Sequence, residues 1–112
     1  MKTRNLTDLI HFTDDAPRTE VLAETEHLWS QIVCLQGAQG IGPVRDDEAD
    51  GLLVVLAGEV AAQIGKGRAR MRQWETVTVP AGEDLTIRNA SPDPGVVLLV
   101  LSPPPAPEPP AS

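Results

Sequence analysis

Leu52-Leu53-Val54-Val55-Leu56-Ala57-Gly58-Glu59-Val60-Ala61-Ala62-Gln63-Ile64 decides the fold class. Leu52 to Leu56 is a continuous apolar run and Gly58 marks a turn. Val60, Ala62 and Ile64 then alternate with Ala61 and Gln63, the period of two that sends successive side chains to opposite faces of a strand. The segment reads as a strand pair. Gly65-Lys66-Gly67 supplies the positive backbone angles of a tight hairpin, and the return strand sets Ala69 and Met71 against Arg68, Arg70 and Arg72, apolar within and basic outside.

Downstream, Thr76 to Val79 is another short strand, closed by Pro80-Ala81-Gly82. Leu85 and Ile87 then alternate with Thr86 and Arg88 as far as Asn89, and Ser91-Pro92-Asp93-Pro94-Gly95 is a strong turn. Val96 to Leu101 is apolar on both faces, which requires cover on each side: the core on one, a second layer or subunit on the other. A homodimer is expected on that ground.

Upstream, Thr19 to Glu24 and Leu28 to Leu35 are rich in β-formers, whereas Gly37, Gly40, Gly42 and Pro43 punctuate the chain. The acidic run Asp46-Asp47-Glu48-Ala49-Asp50 cannot enter a core unpaired and is predicted as a loop or rim. Leu6, Leu9 and Ile10 lie at helical spacing behind an Asn5 cap, which predicts one or two helical turns. Roughly eight short strands at close spacing predict an all-β jelly-roll barrel. The expected organisation is an N-terminal arm over 1–18, a barrel over 19–101 and a proline-rich tail over 102–112.

A length of 112 residues fits one domain and leads to the expectation of one site rather than several. Its net charge of -7 argues against nucleic acid and anionic membrane as partners. Cys34 is the single cysteine, which excludes an intrachain disulfide and a cysteine zinc cluster and points to a reducing cytoplasm. No apolar run approaches a membrane span, and the opening residues lack a signal-peptide core.

In this order the segments resemble one family, the small single-domain bacterial cupins of the RmlC-like type. Leu52 to Val60 is similar to the strand and turn after the family's first motif, and Pro80-Ala81-Gly82 with Asn89 to the end of its second. The opening near His11-Phe12 and the closing Val100-Leu101-Ser102-Pro103 are similar to a subset of these proteins. The resemblance implies a double-stranded β-helix whose chemistry rests on a metal held by His-x-His, a Glu and a further His, a set suited to iron, manganese, nickel or zinc. Here the His-x-His places fall on Arg45 and Asp47 or, one residue over, Val44 and Asp46; the Glu place falls at or near Gly51, and the last His place on Leu85. Trp74 stands where a glycine opens the second motif, and no histidine follows His27. No metal and no cofactor are therefore expected. Calcium at Asp46-Asp47-Glu48-Asp50 is not favoured, because the spacing does not match a calcium loop.

Neither His11 nor His27 has a neighbour in sequence that defines a catalytic role, and Cys34 lies in an apolar strand as a buried, unreactive thiol would. The chain has no tyrosine, so the His and Tyr pair of cupin-like sugar epimerases is also missing. Trp29, Trp74, Arg45, Asp47, Leu85 and Arg88 remain as ligand-binding candidates: aromatic faces and guanidinium groups for a carboxylate or planar small molecule. The leading expectation is a metal-free, non-catalytic cupin-like protein that binds a small molecule or a protein partner. The alternatives are an isomerase- or oxygenase-like enzyme with an atypical site, and a structural or regulatory protein that acts through its polyproline tail.

Overall fold

The computed structural model describes residues 1–105, and among these a single 3₁₀ turn precedes nine strands. The turn, Leu6–Leu9, begins at the expected cap, where Asn5 Oδ1 accepts a hydrogen bond from the Thr7 amide at 3.0 Å. Ile10 is already extended, so the helix stops after one tight turn. The strands are β1 (Arg18–Glu24), β2 (Trp29–Leu35), β3 (Gly40–Val44), β4 (Asp50–Ala57), β5 (Glu59–Ile64), β6 (Gly67–Arg72), β7 (Thr76–Val79), β8 (Leu85–Asn89) and β9 (Gly95–Ser102).

They form a five-stranded sheet in the order β1-β2-β9-β4-β7 and a four-stranded sheet in the order β3-β8-β5-β6. All the pairings are antiparallel, and the inner faces enclose the main core. This is the all-β jelly-roll barrel expected from sequence, and the hairpin at Gly65-Lys66-Gly67 joins β5 to β6 as read. The strand not foreseen is β3. Its Gly-rich sequence reads as a turn, yet it pairs with β8. Gly42 has φ +109, and a Cβ there would lie 2.5 Å from the Leu85 carbonyl oxygen, so only glycine lets the two backbones come this close.

Inward residues Val33, Leu35, Val55, Val60, Ile87 and Val97 are sealed from solvent and fill one end of the barrel, with Leu53 buried above them. That end is fastened by Asn89, whose Nδ2 donates to the Gly37 carbonyl at 2.8 Å and the Asp93 carbonyl at 3.0 Å, tying the turn before β3 to the turn before β9.

The outward face of β9 has a second layer, as its two-sided apolar sequence requires. Much of that layer is the chain's own N-terminal segment: Leu6, Leu9, Ile10 and Phe12 pack with Ile32, Cys34, Val96 and Leu98. A partner subunit is therefore not needed to cover this end of β9. Val100 and its neighbour Leu52 lie further along the same face, half-buried and exposed respectively. Among the described residues no helix is long and apolar enough to cross a membrane. Of the expected proline-rich tail, 106–112 lie outside the described residues.

Candidate functional site

At the end opposite Asn89 the barrel is open. A cavity of about 450 Å³ is lined by the starts of β2 and β8 and the ends of β3, β7 and β9. Strand alternation builds its wall: Trp29 and Gln31 face inward from β2 and pair with Leu101 and Leu99 of β9, while Leu85 of β8 pairs with Val44 of β3. The lining is mostly apolar, with Trp29, Gln31, Arg45, Asp46 and Glu83 as its aromatic and polar members.

The acidic run makes the rim, and its carboxylates are used to shape it. Asp46 Oδ1 accepts hydrogen bonds from the Glu48 and Ala49 amides at 2.9 and 2.8 Å, and its carbonyl accepts from the Gly82 amide at 2.8 Å. Asp50 Oδ1 accepts from the Ala81 amide at 3.0 Å. These bonds fasten the loop to the Pro80-Ala81-Gly82 turn and press Ala49 into the core at 3% exposure, a buried position hidden inside a charged sequence.

Arg45 is held by its neighbour: its Nε donates to Asp47 Oδ1 at 2.7 Å. That hydrogen bond and charge, with smaller contributions from Asp84 and Glu83, keep the guanidinium above its usual pKa range. The rim thus sets one paired cation among several carboxylates, and the local field is negative.

The sequence candidates divide between distant places. Trp29, Arg45 and Leu85 line the cavity, and Asp47 stands behind Arg45. Trp74 is not with them. It occupies the turn between β6 and β7 with φ +72, its amide donates to the Val55 carbonyl at the sealed end, and it is 71% exposed. Arg88 points to the outer face of the four-stranded sheet, since Leu85 and Ile87 take the inward positions of β8. Sequence reasoning missed Gln31, Val79 and Leu99 as lining, although alternation from Trp29 and Leu101 carries the signal for two of them.

His11 and His27 are both exposed and neither lines the cavity, with His27 in the turn between β1 and β2. Cys34 lies on the outer face of β2 beneath the N-terminal segment, and burial pushes its thiol pKa up.

No family model matches the chain, and no curated protein does. Solved structures do. TT1209 from Thermus thermophilus superposes with a TM-score of 0.87 at 22% identity, covering 92% of this chain and 98% of its own. A Klebsiella pneumoniae protein with a double-stranded β-helix domain gives 0.84 at 16% identity, over 92% of this chain and 90% of its own. An RmlC-like cupin protein from Desulfovibrio desulfuricans gives 0.80 at 22% identity, over 93% and 98%. The chain has the cupin fold. At these identities the likeness is one of fold.

On this cupin barrel the metal places derived from the resemblance can be compared with what occupies them. Gly51 faces inward from β4, and a Cβ there would meet Leu101 Cδ2 at 3.1 Å and Val79 Cβ at 3.2 Å, so apolar groups fill the space of the expected carboxylate. Leu85, at the expected imidazole place, is 2% exposed and forms part of the cavity floor. The lining offers the carboxylates of Asp46 and Glu83, the first engaged in its own turn, and no imidazole. Among the described residues no three His, Cys, Asp or Glu side chains converge. These donors do not fit a cupin transition-metal site, which calls for several nitrogen and oxygen ligands on one ion.

Proposed function

We propose that the protein is a metal-free, non-catalytic binding protein that takes a small planar, largely apolar molecule into the open end of its barrel. The observation that supports this reading is the half-filled barrel: one end is sealed by core, the other leaves about 450 Å³ lined by Leu85, Leu99, Leu101, Val79 and Trp29. The fixed charges shape the choice of ligand. Arg45 is already paired with Asp47, while Glu83 and Asp84 stand nearby, so a carboxylate meets repulsion and a neutral or cationic molecule does not. Trp29 adds a face on which a planar ring or an ammonium group can rest.

A matched pair of probes tests this: tryptamine and indole-3-acetate carry one ring and opposite charges. Binding to the folded state raises the melting temperature by mass action. Tryptamine should raise it, indole-3-acetate should raise it less, and Trp29→Ala should abolish both shifts. A larger shift with the carboxylate refutes the charge argument, and shifts that survive Trp29→Ala refute the site.

We also propose a homodimer through the outer face of the five-stranded sheet. Leu52 is 41% exposed there, beside Val54 and Val100, beyond the cover of the N-terminal segment. Leu52→Asp should convert a dimer to a monomer in sedimentation velocity at micromolar concentration. A monomeric parent protein removes the proposal.

A further inference from the structure

The outer face of the four-stranded sheet carries a second concave feature, independent of the barrel mouth. A trough of about 530 Å³ has Ala61 and Gln63 of β5 on its floor, with Arg68 and Arg70 of β6 along one side and Thr86 and Arg88 of β8 along the other. The registers explain its shape. Ala61 pairs with Arg70 on one side and Arg88 on the other, and Gln63 pairs with Arg68 and Thr86. Neighbouring strands lie about 4.8 Å apart, so the facing arginines rise roughly 10 Å apart across a methyl group, near enough for both guanidinium groups to reach one ligand.

The charge on this face is not neutralised. Glu59 Oε1 meets Arg70 Nε at 3.0 Å and Arg72 Nε at 3.5 Å, one carboxylate against two guanidinium groups. Among the described residues Arg68 and Arg88 have no carboxylate partner within salt-bridge distance. Arg70 Nη2 reaches across β5 to donate to the Ala90 carbonyl at 2.7 Å at one end of the trough, and Arg88 Nη1 lies 3.5 Å from the Ala38 carbonyl on the β3 side of β8. A concentration of cations on one face of a chain whose net charge is -7 is a local opposite to the whole.

We propose that this trough binds a small molecule bearing a phosphate or pyrophosphate group, held between Arg68, Arg70 and Arg88 with Gln63 and Thr86 donating from below. A tetrahedral oxyanion presents acceptors in three dimensions, to both walls and the floor, whereas the acceptor directions of a carboxylate lie near one plane. The excess of guanidinium groups also calls for more than one negative charge. The occupant is small because the acidic remainder of the chain repels a phosphate polymer.

Isothermal titration of inorganic pyrophosphate into the full chain at low ionic strength tests the assignment. Saturable binding is expected, weakening by about tenfold or more in Arg68→Gln and again in Arg88→Gln, because each removes charged hydrogen bonds. Arg18→Gln, on β1 of the other sheet, makes the same change in net charge and should leave affinity within about twofold. Ala61→Glu, on an exposed strand position, should fill the floor and abolish binding while circular dichroism confirms the fold. Absence of saturable binding overturns the proposal. So does an equal loss in Arg18→Gln, which would mark diffuse attraction, or undiminished binding in Ala61→Glu. Indole probes read the barrel mouth separately, so failure at either place leaves the other standing.

Discussion

Truncating one leucine at each end of the barrel measures how unevenly it is filled. Leu35 is fully buried in the sealed half, opposite Gly95, whereas Leu85 lies on the floor of the mouth cavity. Leu35→Ala loses the transfer free energy of the side chain and leaves a closed void, so about 4 kcal/mol is expected. Leu85→Ala loses a similar transfer free energy but opens the vacated space into a cavity that already reaches solvent, so the closed-void contribution drops out and about 2 kcal/mol remains. With a urea dependence of about 1.5 kcal/mol per molar, the two midpoints should differ by about 1.3 M. Equilibrium urea unfolding followed by tryptophan fluorescence reads both. Equal midpoints would refute the half-filled barrel, and with it the cavity on which the proposed function rests.

Three further tests bear on the framework. Asn89→Ala removes both hydrogen bonds that join the turns of the closed end and should cost about 2 kcal/mol in urea unfolding, against a negligible effect if those turns are held otherwise. Gly58→Ala places a Cβ 2.5 Å from the Pro94 carbonyl oxygen at φ +76, whereas Gly82→Ala at φ +87 meets nothing within 4 Å. Thermal melting should show Gly82→Ala losing about 1 kcal/mol and Gly58→Ala at least about 2 more, and equal losses would refute the close approach. Burial raises the Cys34 pKa, so the fold favours the neutral thiol while the unfolded chain ionises in its ordinary range. Unfolding then releases a proton at high pH, and the stabilising contribution, fully present below about pH 8.5, is lost as pH rises beyond it. Cys34→Ala should flatten that fall between pH 8 and 10 in urea titrations, and native Cys34 should resist aromatic disulfide reagents until the protein is unfolded.

The strands were legible wherever alternation was clean, as in Val60, Ala62 and Ile64. β3 was not, because the glycine that lets it approach β8 is the residue type that marks a turn in sequence. The cover over β9 was legible as a need but not as an identity: an apolar face states that something packs on it, and the N-terminal segment answers only in three dimensions. Half of the candidate site was readable. Arg45 and Leu85 came together, and the parity of Leu85, Thr86, Ile87 and Arg88 already placed Arg88 on the other face. Trp74 misled because aromatic chemistry says nothing about which end of a barrel a turn occupies. Ala49 was masked by its acidic neighbours, whose side chains bend back to their own backbone.

The position of β9 has a consequence for how the chain reaches this structure. It is the last strand among the described residues, yet it lies third in the five-stranded sheet, between β2 and β4. The strands of the four-stranded sheet are all complete by Asn89. The larger sheet waits for residues 95–102, and until they emerge from the ribosome β2 and β4 hold unsatisfied edges and bare apolar faces. Pairings this distant in sequence close slowly. A nascent chain stalled before β9 is therefore the form that chaperones and proteases should recognise, and the arrival of eight residues is the step that ends its exposure.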